Sequence, residues 1–116
     1  MKLQKNIQSG YDAYKKIALN IWDYAEVGFK EAKSSVLLQN TLKANGFKID
    51  AGVASMPTAF VATYGSGSPV IVILAEYDAL PGLSQENSFV KAPIANKKSG
   101  HGCGHNLLEQ VLWLRG

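Results

Sequence analysis

Val70-Ile71-Val72-Ile73-Leu74-Ala75 is the longest apolar stretch of the chain, and its reading decides the fold class. The run is mostly β-branched and does not alternate with polar residues. It is entered from the turn-forming sequence Gly65-Ser66-Gly67-Ser68-Pro69. A run of this kind predicts a strand buried on both faces, in a largely parallel sheet covered by helices. The expected architecture is therefore α/β. At this length the stretch is far too short to cross a bilayer.

Working outward on the carboxyl side, Glu76-Tyr77-Asp78-Ala79-Leu80-Pro81-Gly82 follows the strand directly. Glu76 and Asp78 are thereby expected at a strand's carboxyl end, where open α/β sheets bind ligands. Residues 83–99 contain Pro93 and no clear period, and they predict a polar loop, either mobile or inserted. The loop leads into Gly100-His101-Gly102-Cys103-Gly104-His105-Asn106, which holds both histidines and the only cysteine of the chain. Asn106 followed by Glu109 resembles a capping box, and Leu107, Leu108, Val111, Leu112 and Leu114 give helical pairs, so a helix is expected to begin at Asn106. The partial positive charge at its start would favour a thiolate at Cys103.

On the amino side, Phe47 to Ile49 and Ala59 to Tyr64 predict two further strands. Before them, Ile7, Tyr11, Tyr14, Ala18, Ile21, Trp22 and Ala25 recur at spacings of three and four, the stripe of a long amphipathic helix. A second helix is expected from about Glu31 to Ala44, with Asn45-Gly46 as its stop and Gly28 breaking the chain between the two. Glu26, in that break, reads as a helix-end charge rather than a catalytic group.

The 116 residues suit one domain, and an apolar share of 47% with a charged share of 18% is ordinary for a chain that buries a core. The net charge of +3 is small and its lysines are scattered among acidic residues, which argues against nucleic acid or an anionic membrane as partner. A single cysteine makes no internal disulfide and fits a reducing compartment, so the cytoplasm is the expected location.

Thiolate and imidazole are preferred protein ligands of zinc-like ions. In an extended segment, Cys103 and His105 project to the same side, so both can reach one ion or two adjacent ions. His101 is the weaker ligand candidate, since a neighbouring imidazole can simply hydrogen-bond. Against metal binding stands an inert buried thiol beside two solvent-facing histidines. A nucleophilic Cys103 with His105 as base is a competing reading, awkward at so short a separation. Asp78 reads equally as a turn residue and as a carboxylate that accepts the free N–H of a metal-bound histidine. Glu76 reads as a site residue or as a strand-end carboxylate in solvent, the second being favoured.

Together, Trp22–Glu31 (WDYAEVGFKE), Ala75–Gln85 (AEYDALPGLSQ) and Gly100–Asn106 (GHGCGHN) resemble the metal-dependent amidohydrolases of the aminoacylase and carboxypeptidase superfamily, in particular the aminobenzoyl-glutamate hydrolase branch. The similarity runs from about Ile17 to Leu108, and the three motifs in order are far more specific than any one alone. The resemblance implies an α/β/α layered catalytic domain in which two zinc or manganese ions act on the amide bond of an N-acyl or N-aroyl amino acid. By the same resemblance Cys103 and His105 match the first two metal ligands, and Asp78 matches an acidic residue supporting the metal site. The family motif more commonly has aspartate where Asn106 stands.

The family's paired glutamates, one of them the general base, and two further histidine ligands come later in the chain. After His105 this sequence has one carboxylate side chain, Glu109, and no histidine. A two-metal centre of roughly five ligands is therefore not completed in one copy. Residues 1–116 are accordingly expected to form the N-terminal part of the catalytic domain, without the lid or dimerisation domain and inactive alone, in a family that forms homo- or hetero-oligomers. The alternative is a non-catalytic metal-binding or interaction fragment that completes a site with another chain.

Overall fold

Ile17, Ala18, Ile21 and Ala25 fall on one side of a helix, and these are the residues that α1 (Lys2–Tyr24) and its immediate end bury. The computed structural model describes residues 2–108, with side chains from 8 to 107. The expected capping partner Glu109 and the helical pairs after it lie outside the described residues. A tight break follows α1, where Ala25 and Phe29, rather than Gly28, take positive φ angles of 44° and 64°.

Glu26 then reaches forward to begin α2 (Ala32–Ala44). Its carboxylate accepts the backbone N–H groups of Lys33 (3.0 Å) and Ser34 (2.9 Å) and the Ser34 hydroxyl (2.9 Å). Free N–H groups of a first helical turn are thereby satisfied by a negative charge, which the helix dipole also favours. Glu31, at the helix-capping position, caps nothing and instead accepts the Thr58 hydroxyl at 2.7 Å. Asn45 and Gly46 close α2 as expected, Gly46 having φ +83°, a conformation that glycine adopts without penalty.

Two strands follow, β1 (Lys48–Ala51) and β2 (Phe60–Thr63), paired antiparallel with Lys48 opposite Thr63 and Ala51 opposite Phe60. The core lies where the two helices meet this hairpin. Ile17, Ile21 and Leu38 are at its centre, with Leu37, Phe60 and Tyr77 packed against them. Tyr77 also donates its hydroxyl hydrogen to the Thr58 carbonyl, and Ser35 donates to the same oxygen at 2.7 Å.

Residues 70–75 depart from expectation. They form no strand, and Val70, Ile71, Val72 and Leu74 are 79 to 89% exposed. The reason is one of partners. A strand buried on both faces needs ladder neighbours and helices on each side, whereas β1 and β2 pair with each other, α2 packs on that hairpin and α1 packs on α2 and α3. The one parallel contact among the described residues is an isolated bridge between Val27 and Ala79, where the Ala79 N–H donates to the Glu26 carbonyl at 2.7 Å. What is observed is a partial α/β arrangement of helices and short antiparallel strands.

Beyond this, β3 (Leu80–Pro81) pairs antiparallel with β4 (Ser99–Gly100) and closes the base of the expected loop. The loop has order of its own. The Glu86 N–H donates to the Ala92 carbonyl at 2.8 Å, and the Gln85 side chain holds both the Val90 carbonyl and the Ala92 N–H. A final short helix, α3 (His105–Leu108), completes the described structure.

Candidate metal centre

Three hydrogen bonds fasten the glycine-rich segment to the end of α1, and its placement follows from them. Ser99 Oγ donates to the Ala25 carbonyl, His101 Nε2 to the Ile21 carbonyl at 3.0 Å, and Asn106 Nδ2 to the Ala18 carbonyl at 3.2 Å. Residues 18, 21 and 25 share one helix face, so one stripe of α1 supplies both buried side chains and the acceptors that hold the loop. Asn106 is therefore inside α3 and turned toward α1, rather than capping a helix that starts there.

His105 opens α3 after Gly104, whose φ is +76°. Its Nδ1–H donates to Asp78 Oδ1 at 2.8 Å, and its Nε2 lies 3.3 Å from Glu76 Oε2. Glu76 and Asp78 stand two apart in the chain, and both carboxylates reach the His105 ring. The donor atoms of Glu76, Asp78 and His105 all lie within 4.8 Å of one another. His105 is mostly buried, Asp78 is partly covered and Glu76 is open to solvent.

Donation from Nδ1 to Asp78 fixes the neutral imidazole with its lone pair on Nε2. That lone pair then faces the Glu76 carboxylate, and two acceptors are brought together. A proton or a cation between them resolves the conflict. Two ligands on a tetrahedral ion with bonds of about 2.0 to 2.1 Å stand roughly 3.3 Å apart, which is the separation seen between Nε2 and Oε2. The donor set, imidazole plus carboxylates, fits a divalent ion.

The sequence-derived candidates divide. The structure brings Asp78 and His105 together and adds Glu76, which had read as a strand-end charge. Cys103 carries an exposed thiol and is not in the three-residue group. His101 points the other way, into α1. Burial holds its pKa below the ordinary imidazole value, opposed by the hydrogen bond to Ile21 and reinforced by His105. Because Nε2 donates to a carbonyl, the neutral ring keeps its lone pair on Nδ1, a buried atom without a partner among the described residues.

This chain is 43% identical over 103 residues to a subunit of the p-aminobenzoyl-glutamate hydrolase of Escherichia coli, a match covering 88% of this chain and 21% of that protein. It is 31% identical over 107 residues to thermostable carboxypeptidase 1 of Saccharolobus solfataricus, covering 90% and 26%. An IAA-amino acid hydrolase ILR1-like 2 of Arabidopsis thaliana matches at 35% identity over 100 residues, covering 83% and 21%. The chain belongs to this amidohydrolase and peptidase family. It spans about a fifth to a quarter of the length of these curated amidohydrolase and peptidase relatives. No family model matches it.

Proposed function

We propose that this chain carries part of the metal site of an amidohydrolase that cleaves the amide bond of N-acyl or N-aroyl amino acids, aminobenzoyl-glutamate among them. The observation that carries the proposal is the His105 arrangement, with Nδ1 held by Asp78 and Nε2 set against Glu76 at a ligand-like separation. The names of the relatives support the reaction class, and the acyl-amino-acid names among them support the substrate class. The layered α/β/α frame belongs to the same proposal.

In this reading His105 Nε2 and Cys103 Sγ are metal ligands, Glu76 is a further oxygen donor, and Asp78 orients the imidazole and raises its basicity. Gly102 and Gly104 flank Cys103 and give its thiol the freedom to swing toward the ion. His101, bonded to Ile21, holds the loop in place. Two divalent ions are expected, zinc or manganese, with thiolate ligation favouring zinc. When bound, they would polarise the substrate carbonyl and strengthen a water nucleophile.

The general base and remaining ligands are not supplied by these residues, so the chain alone is proposed to be inactive. Completion by further polypeptide fits the subunit designation of the E. coli relative. Cytoplasmic location is also proposed, resting on the single cysteine. No helix among the described residues is long and apolar enough to cross a membrane.

A second reading, a non-catalytic metal-binding or interaction fragment, is favoured by the exposure of both the Cys103 thiol and the 70–74 segment. Elemental mass spectrometry of the purified chain, with circular dichroism on the same samples, tests the metal site common to both. Stoichiometric zinc or manganese is expected, with affinity at least tenfold weaker in His105→Ala and Cys103→Ser. A folded, metal-free wild-type chain would overturn it. Assay with aminobenzoyl-glutamate then separates the readings: hydrolysis only when the missing part of the family sequence is added supports the enzyme, and none under any complementation supports the fragment.

A further inference from the structure

Between α1 and the 83–98 loop lies a cavity of about 700 Å³ that the metal chemistry does not use. Its apolar surface includes the Trp22 ring from α1 and Leu83 and Ile94 from the loop. Lys97 lies over that ring, its Nζ 4.5 Å from the centroid, and reaches Asp23 Oδ1 at 3.2 Å. Lys91 also lines the space, and Glu86 is its one acidic side chain among the described residues. The volume is within the range of small-molecule sites, about 300 to 1,000 Å³.

We propose that this cavity binds a small aromatic carboxylate, with the aryl group among Trp22, Leu83 and Ile94 and the carboxylate on Lys97. The pocket is amphipathic, and so is the ligand. An ammonium group has three donors, and Asp23 takes one of them. Asp23 itself is 78% exposed, so its hold on Lys97 is screened by water and an incoming carboxylate competes with it. The excess of lysine over acid in the wall favours an anion, and the partly exposed Trp22 side chain with the aliphatic side chains of Leu83 and Ile94 favours an aryl group. Gly100, His101 and Gly102 form the wall toward the metal loop, which places the bound ligand next to the proposed centre and separate from its donor atoms. Binding is consequently independent of metal, and the inference does not rest on the proposed hydrolase activity.

The test uses the 116-residue chain treated with EDTA, carrying Trp113→Phe so that Trp22 is the only fluorophore of its kind. Benzoate, benzamide and acetate are titrated in turn. Saturable quenching by benzoate is expected, with benzamide about tenfold weaker and acetate without effect. Lys97→Met should make benzoate and benzamide equal, and Lys97→Arg should restore the difference. Equal binding of benzoate and benzamide by the Trp113→Phe chain, or no saturable change in a sample that is folded by circular dichroism, overturns the inference. If Lys97→Met does not fold, the benzoate-to-benzamide comparison still decides. Metal content is read separately, so failure here and failure of the metal site are distinguishable.

Discussion

Asn106 shows how one side chain answers a question that its motif leaves open. The resemblance places aspartate more often at this position, yet here the side chain is 7% exposed and donates its amide hydrogen to the Ala18 carbonyl. Asp has no such donor when ionised. Asn106→Asp would therefore set a carboxylate against a carbonyl in a buried place and lose the bond to α1, a destabilisation of about 1 to 3 kcal/mol. Urea denaturation at neutral pH, followed by circular dichroism, should show a lower midpoint for Asn106→Asp. An unchanged midpoint would mean that the Ala18 contact contributes nothing. His105 and Asp78 were recognisable as candidate site residues because their chemistry is carried by residue type and spacing. Glu76 was a candidate ranked below a solvated charge, because a carboxylate at a strand end looks the same in sequence whether it faces solvent or an imidazole.

At the scale of elements, both helices were legible because spacings of three and four depend on neighbours a turn away. The strands β1 and β2 were legible for a similar reason, being short and locally patterned, whereas their antiparallel pairing stood against the expected parallel sheet. Residues 70–75 were not, because β-branched composition encodes a capacity to pair while the partners come from elsewhere in the fold. The loop was read as irregular, and its closure by β3 and β4 had no local signal beyond Gly100. That glycine is required by close approach: a Cβ there would collide with the Leu83 carbonyl oxygen, a backbone atom that no side-chain rotation can move aside. Gly100→Ala must separate β4 from the start of the loop, opening the base at Leu80 and Pro81. Limited proteolysis is expected to cut within residues 83–98 several times faster in Gly100→Ala than in the unsubstituted chain. Equal rates would show that the two-residue ladder does not control the loop.

Over the whole molecule, the radius of gyration is 15.5 Å, against about 13 Å for a compact chain of about 100 residues. The excess goes with a small core and a large apolar surface. Ile21, Leu38 and Leu42 are essentially fully buried, while Val70 to Leu74 lie open with no ladder partner among the described residues. Such a segment combines exposed apolar side chains with free backbone donors and acceptors, the two features that drive edge-to-edge association. The chain should therefore self-associate as its concentration rises, through residues 70–74. Val72→Lys places a charge in the middle of the run at a site 83% exposed, where no packing is lost on substitution. Sedimentation velocity should show the unsubstituted chain shifting to larger species with concentration and Val72→Lys remaining monomeric over the same range, with superimposable circular dichroism spectra. If both associate alike, the contact lies on another face. If neither does, exposure of residues 70–74 is not enough to drive association.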